Sequence, residues 1–226
     1  MGRRIIFYIE YLLDCFFSVL YSRDYKCVLC GEKIFDEKLL CNSCFKNISL
    51  CKNEFYIEKK NLRIKFYSVA YYSKSIKEMI IKLKYRRDFL CGEALGSLMY
   101  DFIMKNNIKF DEITFVPMEK NDLKRRGYNQ SKLLAKEISK RTNLPVKEYL
   151  AKNKKTSDQI GLNGKMRWEN LSKAFTTCNT KTIANKNLIL VDDVFTTGAT
   201  GFFCAKNLIF SGAKCVIVLT AAKSSI

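Results

Sequence analysis

The chain has no histidine and only two prolines among its 226 residues. Without imidazole the commonest side-chain general base is missing, and a structural zinc site has to be built entirely from sulfur. No low-complexity linker is evident. With 48% hydrophobic residues, the length suits one medium domain plus a small module. Two phosphate-binding signatures, Gly-x-x-x-x-Gly-Lys-[Ser/Thr] and Gly-x-Gly-x-x-Gly, do not occur. The aspartate pair of the chain is adjacent, which disagrees with a phosphohydrolase pair separated by one residue.

Long uncharged hydrophobic runs are lacking too. The segment Arg3 to Ser22 is rich in large apolar residues, yet Glu10 and Asp14 interrupt it one helical turn apart. Two acids near the centre disfavour a membrane span, which needs about twenty largely uncharged residues. The expectation is an amphipathic helix packed on the protein, with a peripheral membrane contact or a partner-docking helix as the alternatives. No secretory leader is evident, so the ten cysteines are not expected to form a disulfide framework. The expected location is the cytoplasm, with the inner face of the membrane left open.

What the cysteines do offer is metal spacing. Cys27-x-x-Cys30 and Cys41-x-x-Cys44 are two knuckles ten residues apart, close enough to fold around one structural Zn2+. Cys51 follows without a paired partner and is read as a spare or alternative ligand. Cys15, Cys91, Cys178, Cys204 and Cys215 lack metal spacing and are expected to be buried thiols.

The stretch Leu188 to Thr200 is the most informative. Leu188-Ile189-Leu190-Val191 suits a strand covered on both faces, as in a parallel sheet flanked by helices. The strand is expected to end in Asp192 and Asp193. Neighbours within a strand point to opposite faces, so the two acids share a ligand only where the chain leaves the sheet. There they can accept hydrogen bonds from a vicinal diol or hold a hydrated divalent cation. Thr196, Thr197, Gly198, Ala199 and Thr200 would wrap a phosphate with N–H groups and hydroxyls, at the start of a helix running to Ser211. The pattern reads as a site for a phosphorylated ribose.

Two further constellations lie upstream. Ile113 to Val116 reads as a strand stopped by Pro117, followed by a basic loop with Arg125 and Arg126 and a helix from about Ser131 to Arg141. Arginines at a strand end suit bidentate recognition of phosphate oxygens. Residues 156–175, polar at first and carrying Gly161 and Gly164, read as a mobile flap.

Charge is strongly one-sided: 40 basic against 22 acidic residues gives +18. Fifteen basic and five acidic residues fall between Lys120 and Lys173. Such a surplus favours polyanions, and Lys152, Lys154, Lys155 and Arg126 are the residues expected to meet single-stranded DNA, with Tyr128 and Trp168 as stacking faces.

The run Leu188 to Thr200 resembles the signature of type I phosphoribosyltransferases, which bind phosphoribosyl pyrophosphate (PRPP). Adding Arg126-Gly127-Tyr128-Asn129-Gln130, Gln159-x-Gly161-Leu162, Arg167-x-x-Asn170 and Ala174-Phe175, the chain resembles the ComF family of bacterial competence proteins. Tyr71-Tyr72 and Leu83-Lys84-Tyr85 before Asp88 extend the resemblance over nearly the whole sequence. It implies a double zinc ribbon after an amino-terminal helix, through about residue 57. An α/β domain, a mostly parallel sheet flanked by helices, would occupy 58–226. It also implies PRPP held with Mg2+ by Asp192, Asp193 and the threonine turn, the two aspartates being the catalytic pair. Arg125, Arg126, Gln159, Arg167 and Asn170 would lie near the pyrophosphate or flap. The implied role is in natural transformation on imported single strands, beside a helicase-like partner. The alternative is an active phosphoribosyltransferase of nucleotide metabolism with an unnamed acceptor. A transcriptional regulator would need a DNA-reading module that the sequence does not present. No hood for an acceptor follows the last expected strand, Lys214 to Thr220, so any hood is expected from the amino-terminal module.

Overall fold

The structure, a computed structural model, describes residues 26–34, 39–59, 61–152, 171 and 174–224. The expected helix at 3–22, Cys15, most of the flap with Gln159, Arg167, Trp168 and Asn170, and Lys154 and Lys155 lie outside the described residues. The second cysteine knuckle opens a short helix, α1 (Asn42–Lys46), which Cys41 caps by accepting the Cys44 N–H on its sulfur.

Five strands form one sheet: β1 (Phe55–Lys59), β2 (Leu62–Tyr71), β3 (Glu112–Phe115), β6 (Asn187–Phe195) and β7 (Cys215–Lys223), in the order β1-β2-β7-β6-β3. β1 is antiparallel to β2, and every other pairing is parallel. The boundary expected after residue 57 therefore falls inside an edge strand. Alternating residues of β6 explain why the apolar run is continuous. Ile189 and Val191 face one core, with Ile76, Met79 and Leu83 of helix α2 (Lys74–Arg86), Leu95 and Met99 of α3 (Phe89–Lys105) and Ile138 of α5 (Gln130–Thr142). Leu188 and Leu190 face the other, with Cys204, Ala205 and Leu208 of α6 (Ala199–Phe210). All four strand residues are almost inaccessible, and burying each side chain is worth about 1.5–3 kcal/mol.

Three expectations are corrected. β6 does not stop at the carboxylates but continues to Phe195, because Val194 and Phe195 still pair with Ala222 and Lys223 of β7. β7 itself runs three residues past Thr220, where Ala221 and Ala222 are buried. Only residues 127–129 of the expected basic loop remain loop, and Lys124, Arg125 and Arg126 end a short helix, α4 (Lys120–Arg126). Its sequence is rich in helix formers, an Asp122–Arg125 pair at 2.8 Å spans one turn, and its three cations sit at the carboxyl end where the helix dipole favours them.

The strands β4 (Leu150–Lys152) and β5 (Phe175–Thr177) pair antiparallel, so the two ends of the flap segment are tied side by side. The cysteine module packs on the same core as α2 and α3: Cys27, Leu40, Cys41 and Ile48 are buried there, and Lys82 Nζ donates to the Val28 carbonyl at 2.9 Å. Among the described residues no helix is long and apolar enough to cross a membrane.

Candidate functional site

The Arg-Gly-Tyr-Asn-Gln motif works first as a structural joint. Gly127 closes α4 at φ 85°, a left-handed conformation that suits a residue without a side chain. The Tyr128 hydroxyl donates to the Leu83 carbonyl, and its ring packs edge-on against Phe89 at 5.2 Å. Tyr128 is thus committed to the fold rather than presented as a stacking face. Asn129 is buried and bifunctional: its Oδ1 accepts from the Lys132 N–H as the cap of α5, and its Nδ2 donates to the Val116 carbonyl at 2.9 Å. That clamp fixes the start of α5 against the end of β3.

The consequence reaches the acid pair, because Ser131, two residues on, donates its hydroxyl to Asp192 at 2.8 Å. Asp193 also donates its N–H to Asp192 Oδ1 at 2.9 Å. Burial first, and the neighbouring carboxylate of Asp193 second, raise the Asp192 pKa to about 7, with Ser131 pulling the other way. Asp193 leaves the opposite face of β6 and forms an ion pair with Lys84 of α2. Burial works against the Lys84 ammonium, but attraction and hydrogen bonding to Asp193 outweigh it and raise its pKa. Arg126 is near enough to oppose that charge, and its guanidinium donates to Gln130 Oε1 at 2.6 Å. Arg125 faces Asp122 on the surface instead.

Asp192 borders a hollow of about 20 Å3 together with Thr196, Gly198, Thr200 and Thr220, room for about one water. Thr196 and Thr197 are exposed, and Thr197 Oγ1 accepts the Ala199 N–H at 3.4 Å. Gly198 has φ 75°, and a Cβ there would lie 2.3 Å from Ile57 Cδ1 and 2.5 Å from the Phe195 ring. Gly198→Ala is expected to cost about 1–3 kcal/mol through strain and overlap, seen as a fall of several degrees in thermal melting.

The threonine turn opens directly into α6, whose first N–H groups lack intrahelical acceptors and carry partial positive charge. An acid on one face of the strand end, a second acid neutralised by lysine on the other, and a hydroxyl-rich helix start together suit a polyhydroxylated anion with a cation. Sequence reading treated Lys84 only as part of a resemblance and missed Ser131. A helix-start serine carries no local signal for a carboxylate 61 positions away.

The four knuckle cysteines come together, with all sulfurs within 4.8 Å of one another and Cys30 and Cys41 sulfurs 3.7 Å apart. A tetrahedral ion with Zn–S bonds of about 2.3 Å sets its sulfurs about 3.8 Å apart, so the cluster can hold a zinc ion. Burial alone would raise the Cys27 thiol, but backbone N–H groups of Cys30, Cys41 and Leu29 aimed at the sulfur bring its pKa down to about 6. Cys44 is pushed far up by burial and by the adjacent thiols. Four thiolates so close need a cation to coexist. Cys51 stands apart, its N–H bonded to the Val69 carbonyl at 2.9 Å, and is not drawn into this group. Cys91 and Cys204 are buried as expected, whereas Cys178 is half-buried and Cys215 is exposed at the first residue of β7.

These features define a mixed α/β protein with a mostly parallel central sheet and a four-cysteine amino-terminal module. No family model matches the chain. Competence protein F of Haemophilus influenzae is 28% identical over 78% of this chain and 87% of its own length. The DNA utilization protein YhgH of Escherichia coli is 27% identical over 85% of this chain and 81% of its own. Competence protein ComFC of Bacillus subtilis is 29% identical over 64% of this chain and 58% of its own. The chain is thus similar, at 27–29% identity, to proteins named for competence and for DNA utilization. Among solved structures, a Bacillus subtilis glutamine PRPP amidotransferase matches with TM-score 0.41 and 19% identity over 58% of this chain, which spans only 26% of that one. A purine phosphoribosyltransferase from Pyrococcus horikoshii matches with TM-score 0.34 and 12% identity, over 58% of this chain and 80% of its own. Both likenesses concern the fold alone.

Proposed function

We propose that this protein binds PRPP with Mg2+ and acts on imported single-stranded DNA during natural transformation. The observation that carries the reading is that Asp192, Thr196, Gly198 and Thr200 border one hollow near the carboxyl end of β6, the end at which open α/β sheets collect ligands. The relatives' names, competence and DNA utilization, support the process. In this reading the turn and the start of α6 would hold the 5-phosphate, Asp192 would take the ribose hydroxyls, and Asp193 would hold the hydrated cation. Lys84, paired with Asp193, and Arg126, which lies near Lys84, would then meet pyrophosphate oxygens. Mg2+ would supply charge neutralisation of the pyrophosphate, and the chain's own part is positioning.

Calorimetric titration with PRPP tests this directly. Binding is expected with Mg2+ present and much weakened without it, and no binding in either condition rejects the reading. Incubation with PRPP and a panel of acceptors then separates sensor from enzyme: pyrophosphate release that requires an acceptor marks transfer, and binding without release marks a sensor.

The DNA part rests on charge. Lys152, which lies over the Phe175 ring, and Arg126 are the described members of the expected surface. Replacing Lys152, Lys154, Lys155 and Arg126 by glutamate is expected to weaken single-strand binding tenfold or more. Its salt dependence should flatten as well, by about 0.7 in log–log slope for each phosphate that the chain no longer neutralises. Because Arg126 also holds Gln130, the triple lysine variant serves as the control for folding. Unchanged affinity and slope in both variants would remove this surface from the proposal.

A further inference from the structure

A groove of about 580 Å3 opens where the cysteine module meets α3, and it shares no lining residue with the acid site. One wall comes from the module, with Leu39, Leu40 and Phe45, and the floor from α3, with Ala94, Ser97 and Leu98. Its origin is legible in α3, seventeen residues with only three charged side chains. Cys91, Leu95, Met99, Phe102 and Ile103 already serve the core on the inner side. The outer side nevertheless stays largely apolar. Leu90 and Met104, 53% and 60% exposed, stand at the two ends of a stripe that passes Ala94, Ser97 and Asp101. That stripe is about 21 Å long at 1.5 Å per residue. Phe45, 43% exposed, adds an uncovered ring on the facing wall. A helix that is apolar on both sides is one that needs cover on both sides.

Charge narrows what can cover it. Glu93 and Asp101 flank the floor and have no ion pair among the described residues, on a chain with a net charge of +18. Arg141, the cation of the lining, is already held by the Glu137 carboxylate at 3.3 Å. Polyanions are therefore disfavoured here, and an apolar segment that carries arginine is favoured. The chain's own start has that composition. At helical spacing Ile5, Ile9, Leu12, Leu13, Phe16 and Leu20 share one side and Glu10 and Asp14 take the other, while Arg3, Arg4 and Arg23 lie outside the apolar run. Residues 5–20 as a helix would measure about 24 Å, enough to follow the stripe. Cys27 and Leu40 share one buried cluster, so the tether from Leu20 to Lys26 starts beside the groove, and its five residues reach up to about 18 Å. So short a tether gives an effective concentration in the millimolar range, ahead of a partner supplied in trans. An anionic bilayer is the poorer host, because interfacial helices rely on basic polar faces and Glu10 and Asp14 make this one acidic.

We propose that this groove seats the chain's own amino-terminal segment, residues 5–20, which thereby staples the cysteine module to α3. The seat does not depend on PRPP binding. The test places the photoreactive residue p-benzoylphenylalanine at Phe45 or at Met104 of the full chain and maps the products of irradiation by mass spectrometry. Both positions should cross-link to residues 5–20 within one chain, at a yield unchanged by tenfold dilution and by added phosphatidylglycerol vesicles. Ile9→Asp combined with Leu13→Asp should reduce that yield tenfold or more and lower the melting temperature by several degrees. Glu10→Lys combined with Asp14→Lys, on the opposite side, should leave the yield unchanged. Cross-links between two chains that fade on dilution assign the groove to a second copy, and loss of the cross-link when vesicles are added assigns the segment to a membrane. Either result overturns the proposal. So does the absence of any cross-link to residues 5–20, or an undiminished yield in Ile9→Asp with Leu13→Asp.

Discussion

Replacing Asp192 and Asp193 together by asparagine is expected to lower the affinity for PRPP with Mg2+ by at least a hundredfold. Each substitution removes a charge-assisted contact worth about 1.5–3 kcal/mol, and about 1.4 kcal/mol is one factor of ten. Titration calorimetry of variant and parent decides it, and unchanged affinity in a folded variant would falsify the site. Whether the variant folds follows from the two environments. Asp192 accepts from Ser131 and from its neighbour's N–H, and an asparagine oxygen can keep both bonds. Its pKa is about 7 against an ordinary 3.8, mainly through burial. A folded-state pKa above the unfolded one means that the group's contribution is full below about pH 4 and is lost as the pH rises through 7. At pH 8 the ionised carboxylate opposes folding, so Asp192→Asn alone should not lower the melting temperature there. Asp193→Asn behaves differently, because it strands the Lys84 ammonium, whose side chain is only 21% exposed. Breaking such a buried pair costs about 3–5 kcal/mol at the deeply buried limit. Adding Lys84→Met should recover much of that stability loss, which thermal melting reads independently of PRPP binding.

Cys27→Ser is expected to remove zinc from a chain that otherwise carries one ion, as metal analysis of purified protein would show. The loss should be large because ligand binding and folding are one process in such modules, with apparent zinc affinities of about 10–16 kcal/mol in small zinc-finger peptides. Here the damage should spread beyond the knuckles, since Cys27, Leu40, Cys41 and Ile48 share a buried cluster with α2 and α3. Lys82 would also lose the Val28 carbonyl that it holds. Thermal melting should therefore fall for the sheet domain as well as for the ribbon. A variant with full zinc content and unchanged melting would show that Cys27 is not a ligand.

Much of the sheet was legible because its strands carry local signals. The four apolar residues before Asp192 can be buried on both faces only in a covered strand, and Pro117 ends β3 close to where the sequence places its end. The cysteine spacing announced its own partners, since a Cys-x-x-Cys turn holds two sulfurs near one point whatever surrounds it. Ends of elements were harder to read. The acids looked like a strand terminus because charge usually marks an exit to solvent. β7 instead continues to pair through Thr220, Ala222 and Lys223, and this holds β6 in the sheet to Phe195. Lys124 to Arg126 looked like part of a loop by their charge, although one ion pair and the terminal cations favour a helix over 120–126.

By itself, then, the sequence determined the chemistry that was present: four cysteines spaced to hold a metal, an acid pair in a buried strand, a hydroxyl-rich turn and a large positive surplus. These depend on residue type and short-range spacing, which the chain states directly. Tertiary structure alone decided who faces whom. Ser131 and Lys84 meet the acids from two different helices, Tyr128 is spent on anchoring one of those helices to the other, and Lys223 is brought over Phe55 across the end of β2. Such pairings depend on strand order and helix docking, which are set by packing among residues far apart in the chain and leave no mark at either position alone.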